Sequence, residues 1–312
     1  MNSRQHFSCF LLPMLMVACI SLQTAYAAEP AKPKVAGPAK AKAVPPAKSS
    51  IKWHQDYSQA WNEAWKGGKM LFIYFQPTSL GSARANFESQ SLAPSVLQPF
   101  AGKFVWLKIP ANARQPGAKA NQTLLSHTAF AEMHGQPGIA VIDLESRNTR
   151  LYGQVVSAFP FPSGTYYGPR HLSVILGLPH GTLTQRTMVY AVRVHPEAPA
   201  SAWGTFSHNL AGQAESHSNH QASINLQGHH NWDSRFQMIN ATLPGGLLAQ
   251  EVVAESWPGQ DMLTAAHECV NSWRQSDGHW SAVRSRHGLF AFDIKRGGNG
   301  IWYGTGLFGK YR

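Results

Sequence analysis

The chain has 312 residues, 27 of them lysine or arginine and 16 aspartate or glutamate, for a formal net charge of +11. Hydrophobic residues make up 43% and aromatics 11%, which is enough apolar surface for a packed core and excludes a wholly disordered or collagen-like chain. Of three cysteines, Cys9 and Cys19 lie near the start. Cys269 stands alone in the remainder, which excludes an internal disulfide or a dithiol redox centre there.

Residues 1–27 carry Arg4, an apolar run from Phe10 to Ile20 and a small-residue Ala25-Tyr26-Ala27 ending. This is the pattern of a secretory signal, with cleavage expected after Ala27 and a periplasmic or secreted destination. The run is short of the roughly 20 apolar residues that span a bilayer. Val17-Ala18-Cys19 leaves open a lipoprotein alternative through Cys19. Residues 28–50 are almost wholly alanine, proline and lysine, with some glycine and serine. Prolines block helix and lysines repel one another, so this stretch reads as a disordered tether. No second long apolar segment follows, and no transmembrane segment is expected in the mature chain. The basic charge suits anionic envelope polymers or lipid headgroups, or simply keeps the protein dissolved. No nucleic-acid motif appears, and nucleic acid is not an expected partner.

Residues 51–178 read as a first domain. Trp61, Ala64 and Trp65 mark a helix that Gly67-Gly68 ends, and Met70–Phe75 is a continuous apolar run suited to a strand buried on both faces. Further strands are expected at Phe104–Leu107, Ile139–Asp143 and Leu151–Val156, with a helix over Leu124–Met133. Gly68-Lys69 before the central strand and Gln136-Pro137-Gly138 before a later one resemble the thioredoxin fold, and Pro137 falls where that family carries a cis-proline. Where the family has Cys-x-x-Cys, this chain reads Gln76-Pro77-Thr78-Ser79-Leu80-Gly81-Ser82. Without a thiolate there is no nucleophile for disulfide exchange. A scaffold or binding surface is expected instead.

Residues 179–312 read as a second domain of an α/β protein. Thr182–Arg193 fits either strand or helix. A long polar helix is expected through Ser207–Leu226, a second after Asn231 with Trp232, Arg235, Phe236 and Ile239 on one face, and a third through Ala265, Ala266, Cys269, Val270 and Trp273. Leu289–Ile294 and Ile301–Phe308 read as a hairpin around Arg296-Gly297-Gly298-Asn299-Gly300.

Four stretches in this part resemble the CAP superfamily of cysteine-rich secretory and pathogenesis-related proteins, its bacterial secreted branch in particular. They are His217-Ser218 to His229, Glu251-Val252-Val253-Ala254, Trp273-x-x-Ser276-Asp277-Gly278-His279, and Tyr303 to Gly309. Val252, Asp277 and Trp280 depart from the family's usual asparagine, proline and arginine. The resemblance implies an α-β-α sandwich whose cavity holds His229, Glu251 and His279, with His230 and Glu255 as alternatives. It also implies a binding or signalling role on a lipid, glycan or protein, and proteolysis for only a few members.

Two imidazoles can hold Zn²⁺ or Cu²⁺, so His229 and His279 are the candidate metal ligands, with a carboxylate to orient them. Without metal the same residues form an acid–base pair, which leaves a hydrolase acting on envelope peptide or glycan as the alternative. Several other residues carry plainer readings. His208, His217 and His220 read as solvated, Trp257, Trp273 and Trp302 as core, Cys269 as a buried small apolar residue, and Lys295-Arg296 as a solvated turn or an anion contact.

Overall fold

The computed structural model describes residues 51–79, 81–117, 122–162 and 166–312. The expected signal, its cleavage site, Cys19 and the tether lie outside them. The N-terminal half runs β1 (Trp53–His54), α1 (Tyr57–Gly67), β2 (Met70–Gln76), α2 (Ser82–Asn86), α3 (Pro94–Leu97), β3 (Phe104–Pro110), β4 (Gly138–Ile142), β5 (Val155–Pro160) and α4 (Pro169–Leu176). Its five strands lie in the order β1-β3-β2-β4-β5. β3 is parallel to both β1 and β2, and β4 is antiparallel to β2 and β5.

Local chemistry sets these boundaries. Asp56 caps α1 by accepting the Gln59 N–H, and Gly68 ends it at φ 58°, a conformation that is free of steric cost only for glycine. The apolar run of β2 is buried throughout because both faces of the sheet are covered. Leu71, Ile73 and Phe75 pack with Ala60 and Ala64 of α1, while Met70, Phe72 and Tyr74 face α4 and the rest of the molecule.

Three expectations are corrected in this half. Leu124–Met133 forms two 3-10 turns, Leu124–Ser126 and Thr128–Met133, because His127 is extended between them. Leu151–Gln154 is a turn, and the strand begins only at Val155. Pro137 follows a trans peptide, since the described residues contain no cis bond.

The C-terminal half runs α5 (Leu183–Val194), β6 (Thr205–Phe206), α6 (His208–Ile224), α7 (Trp232–Asn240), β7 (Leu247–Glu255), α8 (Met262–Arg274), α9 (Asp277–Arg284), β8 (Leu289–Arg296) and β9 (Trp302–Tyr311). Its sheet has the order β6-β8-β9-β7, with β7, β9 and β8 antiparallel. Strand alternation divides the side chains between two layers. Ala249, Ala291 and Leu307 point to α6 and α7, whereas Val252, Ala254, Phe290, Phe292 and Phe308 share a core with α5, α8 and α9.

The ambiguous Thr182–Arg193 stretch is a helix, closed by a capping box between Thr182 and Gln185. Its pattern had no clean period because α5 is covered on nearly every side: it packs against β5 of the first sheet and against β8 and α8 of the second half. One continuous apolar cluster therefore runs from Phe72, Tyr74 and Phe159 through Val189 and Tyr190 to Trp273, Phe290 and Phe292. Arg186 is buried in this seam. It donates from Nε to Ser157 Oγ (2.8 Å) and from Nη1 to the carbonyls of Leu178 and Pro179. Burial pulls its pKa down to about 9.

A second polar bridge crosses the seam. Arg150, between β4 and β5, pairs with Glu215 of α6, and Lys295 Nζ lies 3.1 Å from Glu215 and 3.4 Å from the buried Asp293. Lys295 is therefore part of a half-buried network and not a solvated turn. Asp293 also accepts a hydrogen bond from Thr184 Oγ1 at 2.6 Å. Burial outweighs these partners and raises its pKa to about 7. A carboxyl raised in the fold binds its proton more tightly there than in the unfolded chain, so it costs stability as pH rises from about 4 to about 7. Wild type should lose on the order of a few kcal/mol relative to Asp293→Asn across that window. Chemical denaturation of both proteins at pH 4.5 and 7.5 measures this difference, and parallel pH profiles would refute it.

Candidate functional site

The C-terminal end of α6 determines where the site lies. The helix stops at Asn225, which has φ 52° and whose Oδ1 accepts the Asn299 N–H from the β8–β9 turn. The chain then doubles back. The Gly228 N–H donates to Gln221 Oε1 (3.1 Å), and His217 Nε2 lies 2.9 Å from the Gly228 carbonyl. A carbonyl only accepts, so this nitrogen carries the hydrogen. The returning loop thus delivers His229 beside the middle of β7, and Asn231 starts α7 immediately afterwards.

Glu251 is the hub. It lies at the centre of β7 on the face toward α6 and α7, with its side chain 1% exposed. Oε1 contacts His229 Nδ1 at 3.0 Å and Arg235 Nη1 at 3.1 Å, while Oε2 takes Arg235 Nη2. His217 Nε2 lies 3.7 Å from Oε1. Burial pushes the Glu251 carboxyl up, but the hydrogen bonds from His229 and Arg235 and the neighbouring positive charge overcome it, and its pKa ends below the ordinary value. It stays ionised. Burial also holds His217 down to about 4, with Glu251 opposing part of the shift, so this imidazole is neutral near neutral pH.

His279 enters from the other side, in the first turn of α9. Its ring centroid is 5.8 Å from that of His229, the planes inclined by 41°. Burial and the His229 charge lower its pKa. The His229 side chain is 44% exposed and borders an open hollow of about 490 Å³ with Asn231, Trp232, Asp233 and Ser234. The three residues singled out for the cleft therefore meet: a half-exposed pair of imidazoles, one of them oriented by a buried carboxylate.

The alternatives fall elsewhere. Glu255 is exposed at the far end of β7, paired in register with Tyr303. His230 turns away from Glu251, with its Nε2 3.2 Å from the Leu226 carbonyl and its ring against His217 and His220. His208 and His220 are exposed. His217 is not solvated as expected, because Glu251 and Gly228 hold it inside. Trp273 and Trp302 are buried, whereas Trp257 is 67% exposed and so is not core. Cys269 is fully buried, and burial pushes its thiol pKa up.

Arg235 is the partner of Glu251 that helical periodicity alone does not single out. It shares a helix face with Trp232, Phe236 and Ile239, and a single arginine on such an apolar stripe is itself a signal, because a half-buried guanidinium needs a partner.

The donors do not close around a metal as a three-ligand zinc centre would. Both Glu251 oxygens are committed to Arg235 and His229, and no group of three His, Cys, Asp or Glu among the described residues is placed to hold an ion. In the N-terminal half, Pro77, Thr78 and Ser79 border a hollow of about 420 Å³ with Asn112 and Pro137. Its hydroxyls offer hydrogen bonds and no redox chemistry. The chain matches no family model and no curated protein.

Proposed function

We propose that the chain is an exported, non-redox protein with a thioredoxin-like part (51–178) and a CAP-like part (179–312), and that the CAP-like cleft of His229, Glu251 and His279 binds a ligand or partner at the cell envelope. The observation that carries this reading is the commitment of Glu251. A carboxylate whose two oxygens are occupied by a guanidinium and an imidazole, and which is held ionised, is a fixed post and a poor proton shuttle. It leaves the half-exposed His229 to offer a hydrogen bond to whatever enters the hollow, with the His279 ring beside it. Support for the two parts comes from the five-stranded sheet with helices on both faces, and from the four-stranded sheet sandwiched between α6–α7 and α5–α8–α9. Zinc or copper capture by His229 and His279 alone would be loose, with two protein ligands.

One observation favours a second reading. His229 with Glu251 on its Nδ1 is an oriented imidazole whose Nε2 can act as a base, which suits a hydrolase acting on envelope peptide or glycan.

Co-sedimentation of the full chain with peptidoglycan sacculi and with anionic phospholipid vesicles separates the two. Retention without release of soluble fragments, weakened at least roughly tenfold in His229→Ala and His279→Ala, is the expected result. Fragment release by wild type that both variants lose would replace binding with hydrolysis.

A further inference from the structure

The N-terminal half contains a groove of about 440 Å³ that the histidine cleft does not use. It lies within the roughly 300–1,000 Å³ typical of small-ligand sites. Tyr57 and Trp61 of α1 form one wall, their rings 5.8 Å apart and inclined by 38°. Phe130 and Val155 contribute to an apolar floor, and Ser58, Asn62, Gln115 and His127 supply the polar rim. No lysine, arginine, aspartate or glutamate is among the described residues that line it, in a chain whose net charge is +11.

We propose that this groove is a binding site for a neutral saccharide, with Trp61 as the stacking platform and Asn62 and Gln115 as the hydroxyl-reading groups. Each side-chain amide offers donors and an acceptor together. That suits adjacent sugar hydroxyls, each of which also donates and accepts. The C–H face of a pyranose ring is apolar and packs on an indole, leaving its hydroxyls to the rim. Asn62 and Ser58 are exposed, and their side chains make no hydrogen bond within the described residues, so they are open to a ligand. Burial raises the Tyr57 pKa to about 12, which keeps its hydroxyl a donor at every ordinary pH.

The same lining argues against other occupants. A phosphate or carboxylate would find no lysine or arginine among the described lining residues, and the Nδ1 of His127 there already accepts the Ala129 N–H. An alkyl chain would cover the rim amides without giving them a partner, which costs free energy. A proline-rich peptide would use the aromatic wall, but its backbone carbonyls need donors only and would leave the amide acceptors idle.

The test is calorimetric titration of the full chain with chitotetraose and with cellotetraose. At least one should bind saturably and with little dependence on salt, since no ion pair is involved. Trp61→Ala and Asn62→Ala should each weaken it about tenfold or more. Trp65→Ala, one turn along α1 and outside the groove, should leave it unchanged. Asn62 is exposed, so its variant keeps the fold, and thermal melting of all three variants verifies this. The proposal falls if neither sugar binds, if Asn62→Ala binds as wild type does, or if a synthetic peptide of residues 28–50 occupies the groove in a Trp61-dependent way while the sugars do not.

Discussion

Replacing Arg235 with alanine is expected to destabilise the protein by about 3 kcal/mol, toward the lower end of the roughly 3–5 kcal/mol seen when one member of a buried ion pair is removed. The lower end applies because the Arg235 side chain keeps 14% of its exposure. Glu251, 1% exposed, would be left with its Oε2 contact gone and only imidazoles near Oε1. An unpaired buried carboxylate takes up a proton, and a protonated Glu251 no longer holds His229 by charge. The variant should therefore lose stability and cleft binding together, the stability loss growing as pH rises and the unpaired carboxylate has to ionise. Adding Glu251→Gln to Arg235→Ala removes the stranded charge and should restore part of the stability without restoring binding. Denaturant midpoints of the two single variants and the double variant form the cycle that tests this. If Arg235→Ala costs less than about 1 kcal/mol, the ion pair is a surface contact and the hub assignment fails.

Acid should loosen the C-terminal half through His217. Its folded pKa is depressed to about 4 from an ordinary 6.5, so between these values the unfolded chain binds the extra proton. The neutral ring's contribution is complete above pH 6.5 and is lost as pH falls toward 4, on the order of 3 kcal/mol in all. Asp293 acts in the opposite sense over an overlapping window, so the acid profile of wild type alone would partly conceal both effects. Comparison with His217→Gln isolates the histidine. Glutamine places an amide N–H near the position of Nε2 and keeps the bond to the Gly228 carbonyl, but it does not titrate. Wild type should lose stability relative to this variant between pH 7 and pH 4.5, and indistinguishable profiles would show that the ring is not held neutral by burial.

How much of this was legible beforehand depends on the range of the interaction. The stop at Gly68, the doubly buried β2 and the β8–β9 hairpin follow from neighbours within a few residues, and periodicity and glycine chemistry expose them. The 3-10 break at His127 did not show, because the helical pattern of Leu124–Met133 conceals one extended residue. α5 was ambiguous for the opposite reason: a helix enclosed on all sides has no polar face to reveal its period.

The cleft divides along the same line. His229, Glu251 and His279 could be named because the stretches that carry them resemble motifs of the CAP superfamily. Their partners could not. Arg235 looks like one more residue on a helix stripe, and His217 like one of several histidines on a polar helix, until the fold puts both against Glu251. By itself the sequence determined most of the element types, the lack of a dithiol beyond residue 50 and the candidate side chains, since these depend on residue identity and near spacing. Only the tertiary structure decided which imidazole the carboxylate touches, which charges are buried and which groove is lined without lysine, arginine or carboxylate among the described residues. Those properties arise from residues far apart in the chain sharing one low-dielectric space.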